Sequence, residues 1–462
     1  MKKITFLIIL FAFSFKINAQ VGKGLNFNDK KYEQTSMKAP LTRSLYTAIP
    51  ESYSLKQYAP IPKSQGNFGT CVGWSTAYAA MTIVDSRLNN RTDKDLITLN
   101  AYSPGFVYKQ IKMSSDLNCT YGANIEDALE ILKTKGAAKF TDITEANCLT
   151  DISNDLFNKA KNHKIKDYAK LFGLFDTNPI KISSTKKSLS QNNPVLIGMK
   201  VPDSFNYING ELWTPTEDYN SEFSGHAICV VGYDDNKYGG AFEIMNSWGE
   251  TWGNKGFFWI KYEDYANWVK YAYEMIDMIG GKLNNSYELS GGVKFILTSG
   301  EETKVSYNGN YYRTGQSFKS GTMFRLNISN TSPAYVYAFG YDATGKIFEI
   351  FPYSPTISAA LNYAQNDVAI PDEDHYIQTD NTIGNDYLCV VYSKEPLSVK
   401  TFYNAIENNK SSNSFPEKVK TAFGSNLISS SEIKFDQSKI SFSAKSSTKS
   451  VVALIIETEH IE

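Results

Sequence analysis

Three stretches of this chain carry side chains able to act together on a carbonyl carbon. Ser64 to Met81 reads SQGNFGTCVGWSTAYAAM, with Gln65 six residues ahead of Cys71 and small residues between them. An apolar run at helical spacing (Trp74, Ala77, Tyr78, Met81, Val84, Leu88) opens at the cysteine, which predicts a thiol on a first helical turn. Unpaired N–H groups and the positive end of the helix dipole stabilise a thiolate there, so its pKa is expected to fall below the free value of about 8.5. Ser224 to Asp234 reads SGHAICVVGYD and sets His226 at the mouth of a β-branched run. Glu243 to Gly256 reads EIMNSWGETWGNKG, with Asn246 after a short apolar segment and Trp248 and Trp252 beside it. A thiolate nucleophile needs a base and a group that orients the base, and His226 and Asn246 are of the right types.

Cysteine, then histidine, then asparagine is the order of the papain-like cysteine peptidases, and all three stretches resemble that family's signatures over about Tyr58 to Asp277. The resemblance implies an α+β fold, with a two-lobed catalytic domain made of a helical lobe and a β-barrel-like lobe. It implies Cys71 as nucleophile, His226 as general acid and base, and Asn246 as the group that holds the imidazole. The Gln65 side chain and the Cys71 N–H would form the oxyanion hole. Peptide-bond hydrolysis on a protein or peptide substrate follows, with no cofactor and no metal; Gly122, Tyr121 and Trp248 would bind substrate. The pattern departs from the family's C-G-[SA]-C-[WY] in two ways: Phe68 stands for the first cysteine and Val72 for the aromatic after the nucleophile. The spacings from Cys71 to His226 and Asn246, 155 and 175 residues, exceed the family's roughly 130 to 150, which predicts an insertion. Cys119-Thr120-Tyr121-Gly122 keeps one glycine of the family's Gly-Gly substrate strand, so a tyrosine is expected to crowd the groove.

Five cysteines are an odd number, so at least one thiol is free. Cys71 is that one by the reading above, and Cys229 and Cys389, inside apolar runs, read as inert core residues. In the papain-like family, cysteines near Cys119 and Cys148 form bridges. With Phe68 removing one partner, a Cys119–Cys148 pair would be a rearranged bridge, and the residues leave open whether it forms.

The elements that must position these groups follow from the rest of the chain. Met1 to Ala19 opens with the lysines Lys2 and Lys3 and has an apolar core and a small residue at its end, the pattern of a cleavable signal peptide, which predicts a secreted or periplasmic protein. Residues 20–57 read as a polar N-terminal extension docking on a catalytic domain at 58–278. That domain is helix-rich first (Cys71 to Leu88, the segment after Ser103-Pro104, Asn124 to Leu132). The lysine-rich stretch around Asn158 to Lys170 lacks a pattern and reads as a solvated face. Strands follow at Pro194 to Val201, Ala227 to Tyr233, Ala241 to Met245 and Gly256 to Tyr262. Nucleophile and base then come from different halves and meet in the cleft between them.

Residues 279–292, glycine-rich and polar, read as a linker. Residues 293–462 alternate as strands and predict a β-sandwich-like domain, with a hairpin turn at Asp342-Ala343-Thr344-Gly345. It resembles a bacterial domain of unknown function appended to secreted peptidases. His375, in the acidic turn Pro371 to His375, reads as part of a solvated loop rather than a metal site, and the domain's tyrosines are candidates for contacting a surface partner. With 47 basic and 48 acidic residues the chain has no electrostatic footprint for nucleic acid, and no stretch beyond the leader is long and apolar enough to span a membrane. Two other functions remain open on sequence: a non-catalytic binding protein on the same fold, and a thiol amidase or transpeptidase acting on cell-wall peptides.

Overall fold

A computed structural model describes residues 22–143, 148–149, 151–208, 210–279, 287–412 and 414–462, leaving aside the side chains of 277–279. The leader expected at Met1 to Ala19 lies outside the described residues.

The helical lobe is built on one continuous helix whose segments are Cys71–Gly73, Trp74–Met81 and Thr82–Leu88. Its middle segment is widened to i→i+5 hydrogen bonding and is buried on every side, so its polar side chains bond inward: Thr76 Oγ1 donates to the Val72 carbonyl at 2.7 Å and Thr82 Oγ1 to that of Ala77 at 3.2 Å. Pro104–Ile111 and Ile125–Thr134 pack around it, the first started by Ser103, whose Oγ accepts the Phe106 N–H at 3.2 Å.

The second lobe is an eight-stranded sheet. Val195–Val201, Ser224–Asp234, Ala241–Met245 and Phe257–Lys261 lie side by side and antiparallel within it. Register sets the chemistry: Cys229 faces Met245 across the ladder, so the chain leaving Met245 runs on toward His226 and Asn246 emerges beside the imidazole. Two of the sheet's elements, the strand Lys164–Lys170 and the helix Asn178–Ser190 behind it, arise where the sequence offers no clean period. Lys170 is not solvated as expected; it is buried, and its ammonium donates to the Tyr32 and Glu33 carbonyls at 3.1 and 3.0 Å.

The C-terminal domain is a β-sandwich. One sheet contains Ala334–Tyr341, Gly384–Ser393 and Val451–Ile461, the other Tyr287–Leu297, Met323–Asn330, Asn366–Ile370 and Ser441–Ser446. Val336, Val390 and Leu454 meet Val293, Leu326 and Ile328 between them. The outer face of the first sheet is covered by helices Val399–Asn408 and Phe415–Phe423 and touches Ala169 and Ile276 of the catalytic domain.

The linker reading of 279–292 is corrected: Ile279 ends the strand Val269–Ile279, and 287–292 belong to the strand Tyr287–Leu297, the residues between lying outside those described. The glycines that suggested flexibility answer to close packing instead. A Cβ on Gly291 would lie 2.5 Å from both the Ser329 carbonyl oxygen and the Tyr392 ring. Between the domains, the buried Glu274 carboxylate accepts hydrogen bonds from Lys38 (3.0 Å), Ser188 (2.7 Å), Tyr363 (3.1 Å) and Asn362 (3.3 Å), tying extension, catalytic sheet and sandwich to one point.

Candidate active site

Cys71 is the first residue of the central helix, as its spacing predicts. The backbone N–H groups of Cys71, Val72, Ala227 and Gly24 are directed at its sulfur. Ala227 follows His226 in its strand, so the thiol and the imidazole come from neighbouring positions of the two lobes. The His226 ring is buried, with Nε2 2.8 Å from Asn246 Oδ1, and the same oxygen accepts the Ser247 N–H at 2.8 Å. A donor backbone N–H on that atom fixes it as the amide oxygen, which puts the imidazole proton on Nε2. Nδ1 is then the ring's acceptor, and it has no hydrogen-bond partner among the described residues. Trp248 lies over the ring at 4.9 Å between centroids, tilted by 33°.

Gln65 is fully buried and doubly anchored. Its Nε2 donates to the Phe68 carbonyl at 2.7 Å, and its Oε1 accepts from Ser247 Oγ at 2.6 Å. Ser247, which sequence reading did not single out, thus orients Gln65 through its hydroxyl and Asn246 through its N–H. Its only sequence signal is its place directly after the asparagine.

The groove between the lobes is filled by residues 22–26 of the chain itself. Gly22 N–H donates to the Gly66 carbonyl (3.1 Å), Trp248 Nε1 to that of Gly22 (3.2 Å), Ala123 N–H to that of Gly24 (2.9 Å), Leu25 N–H to that of Gly225 (3.2 Å), and Asn26 N–H to that of Ala123 (2.9 Å). This is an extended peptide held by backbone from both lobes. Two positions of the strap must be glycine: a Cβ on Gly22 would lie 2.0 Å from the Phe68 carbonyl oxygen, and one on Gly24 2.0 Å from that of Gly69. Leu25 is buried, its δ-methyl over Gly198 and beside Ile125.

Burial under this strap reverses the pKa expected from sequence. Desolvation pushes the Cys71 thiol up to about 11, outweighing the N–H groups of Ala227 and Gly24 and, after them, those of the helix at Val72 and Cys71, which all lower it. Burial first, then the nearby charge of Lys23, holds His226 down at about 4 against the Asn246 hydrogen bond. With the strap in place both groups are neutral at pH 7.

The groove residues expected from sequence need adjustment as well. The peptide ladder is made by Ala123, with both its N–H and its carbonyl. Gly122 contributes space, since a Cβ there would lie 2.4 Å from the Gly24 oxygen. Tyr121 contributes its carbonyl to Asn26 Nδ2 at 3.1 Å, and its ring is half exposed instead of crowding the groove. Trp248 does line it. Cys119 and Cys148 are disulfide-bonded, and the Cys119 carbonyl accepts the Gly69 N–H at 2.7 Å, which braces the loop ahead of Cys71. Cys71, Cys229 and Cys389 are free. His375 is exposed and bonded to Asp372 at 2.8 Å.

Residues 49–276 match the sequence profile of the papain family of cysteine proteases, and residues 317–396 that of a domain of unknown function, DUF4384. The chain belongs to the papain family. Its family region begins ahead of Tyr58, where sequence reading drew the border, and so takes in Ser52–Ser54, which pairs with Ser224–Asp234 at the sheet edge. The chain is 24% identical over 259 residues to an uncharacterised peptidase C1-like protein of Acanthamoeba polyphaga mimivirus, covering 53% of this chain and 78% of that protein. It is 26% identical over 216 residues to cysteine proteinase 3 of Entamoeba histolytica (46% and 62%) and 25% identical over 244 residues to cathepsin K of Mus musculus (49% and 67%). Among solved structures, xylellain, a cysteine protease from Xylella fastidiosa, aligns with a TM-score of 0.44 at 23% identity, over 56% of this chain and 96% of its own. As a papain-family enzyme this is a cysteine-type peptidase acting on protein or peptide substrates.

Proposed function

We propose that this chain is an exported endo- or exo-acting cysteine peptidase, latent while residues 22–26 lie in the groove, that works by a Cys71-His226-Asn246 acyl-enzyme mechanism. The observation that carries the reading is the state of His226: its Nε2 proton is committed to Asn246, its Nδ1 has no hydrogen-bond partner among the described residues, and the N–H of the next residue, Ala227, is directed at the thiol. Once the strap leaves and water returns, the Cys71 proton passes to Nδ1 and the thiolate attacks the scissile carbonyl carbon. The C–N bond breaks as the imidazolium gives that proton to the departing amine. His226 then takes a proton from water, whose oxygen attacks the thioester, and the thiol is restored with release of the acid. Gln65 Nε2, which spends one of its two protons on the Phe68 carbonyl, and the Cys71 N–H would supply the donors for the oxyanion.

A polypeptide substrate is supported by the strap, an extended chain that the groove holds mainly through its backbone, and the place of Leu25 over Gly198 favours a medium-sized aliphatic side chain at the corresponding substrate position. Export rests on the leader-like residues 1–19. The test uses protein freed of the strap. Cys71→Ala is expected to abolish peptide hydrolysis and labelling by a thiol-directed peptidyl inhibitor, and Gln65→Ala to leave residual turnover reduced by about 10² to 10³. Equal turnover by Cys71→Ala and the unaltered protein would end the reading.

A further inference from the structure

A cavity of about 250 Å³ opens between the two sheets of the C-terminal sandwich. Its floor is aromatic: Phe295, Phe318 and Phe324 form a triangle with centroids 5.4 to 6.3 Å apart. Its mouth is acidic, with Asp342, Asp380 and Asp386 all on the lining. Asp386 Oδ2 accepts from His460 Nδ1 at 3.0 Å, but Asp386 Oδ1 is buried with no hydrogen-bond partner among the described residues. Asp342 and Asp380 use oxygens on their own turns, Asp342 accepting the Thr344 N–H at 2.9 Å and Asp380 the Thr382 N–H at 2.7 Å. No lysine or arginine forms an ion pair with any of the three among the described residues. Repulsion from Asp342 and Asp380 adds to burial in raising the pKa of Asp386.

A buried carboxylate oxygen without a donor is costly, and His460 meets only the other oxygen of Asp386, so the three carboxylates at one opening leave a place for a cation at Oδ1. The volume is that of about eight waters, below the roughly 300 to 1,000 Å³ of pockets for drug-sized molecules, so it admits one long side chain and little more. Exposed apolar side chains stand beside it: Phe348 on the lining, and Ile383 in the chain between the lining residues Asp380 and Asp386. A free small cation would leave that collar in water. A polypeptide would cover it.

We propose that this cavity is a docking site for a polypeptide segment that inserts one lysine or arginine side chain, its aliphatic stem against the phenylalanines and its charge at Asp386, with apolar residues on either side resting on Phe348 and Ile383. The cavity lies within the domain of unknown function, in a part of the chain that the groove chemistry does not use. The probe is a fluorescein-labelled peptide Leu-Arg-Leu-Arg-Leu, with a counterpart in which citrulline replaces both arginines, titrated by anisotropy into the full chain carrying Cys71→Ala so that nothing is hydrolysed. The arginine peptide is expected to bind at least about tenfold more tightly than the citrulline one, and to lose about tenfold on Asp386→Asn. Phe348→Ser, on the exposed collar and away from the His460 contact, is expected to weaken it several-fold with unchanged circular dichroism. Equal binding of the two peptides, or equal binding to the chain with Asp342→Asn and Asp386→Asn together, overturns the site. Competition by butylguanidine as strong as that of the unlabelled peptide overturns the polypeptide occupant in favour of a small amine.

Discussion

Cys71 and Cys229 are both fully buried, in the same hydrophobic core, and burial raises the pKa of both thiols. They differ in what buries them. Cys229 lies in the middle of a strand and is covered by its own ladder, with Leu196 on one side and Met245 on the other, and only desolvation acts on it. Nothing can uncover it short of unfolding the sheet. Over Cys71 lies a five-residue arm held by single hydrogen bonds, and beneath that arm the N–H groups of Cys71, Val72 and Ala227 are already aimed at the sulfur. A nucleophile is thus told from a core thiol by its donors and by whether its cover can leave alone, while static burial makes the two look alike.

The largest effect should come from evicting the arm. Gly24→Leu places side-chain atoms where the Gly69 carbonyl stands, so the strap cannot dock. With a pKa near 11, about one Cys71 in 10³ to 10⁴ is thiolate at pH 7.5; once released, its donors and His226 bring it into the range of activated thiols, roughly 3.5 to 7.5. Carboxamidomethylation of Cys71, followed by peptide mass mapping, is expected to accelerate about 10³-fold in Gly24→Leu, and that of Cys229 to stay undetectable in both. Matching rates at the two cysteines would remove the distinction.

A smaller effect follows from His226. Its pKa is held near 4 under the strap against an ordinary 6.5, so the strapped form disfavours the proton. The sign is that of a depressed base: strap docking is fully present above about 6.5 and weakens as pH falls toward 4, by up to roughly two orders of magnitude in the docking constant. Cys71→Ala isolates this titration from the thiol. In that variant, hydrogen exchange at the Leu25 and Asn26 amides should become faster relative to intrinsic rates between pH 6.5 and 4, with core strand amides unaffected. Protection of the arm that stays flat across this range would contradict the assignment.

Much of the comparison could be read in the letters. Cys71, His226, Asn246 and Gln65 announce themselves by type, order and apolar context, continuous apolar runs mark the catalytic strands, and the turn residues Asp342 to Gly345 mark the hairpin. Other features are set by contacts that no local pattern carries. The strap escaped because Gly22, Gly24 and Leu25 have no period; their meaning lies in the carbonyls of Phe68 and Gly69 more than forty residues away. The strand Lys164–Lys170 was hidden by lysines whose charges find carbonyls elsewhere, Lys170 on the extension and Lys166 on Lys394 of the C-terminal domain. Gly291 and Gly292 suggested a linker because glycine signals freedom locally, whereas a neighbouring strand and the Tyr392 ring claim the space a side chain would take. The expected low thiol pKa weighed the helix end correctly and could not see the solvent being excluded above it.

The smallest effect tests whether the arm is held bond by bond. Trp248 reaches the strap through its indole N–H, 3.2 Å from the Gly22 carbonyl, while its ring face rests on His226. Trp248→Phe keeps an aromatic surface on the imidazole and removes the donor. A buried hydrogen bond contributes about 0.5 to 1.5 kcal/mol, so strap opening, read as Cys71 carboxamidomethylation at pH 7.5, should rise about three- to tenfold, far short of the Gly24→Leu rate. The two substitutions act on neighbouring strap residues, and their effects should not add: once Gly24→Leu has expelled the arm, the indole has nothing left to hold. An unchanged rate in Trp248→Phe alone would mean the arm is fastened by its ladder with Ala123 and Gly225, and that the tryptophan serves the histidine only.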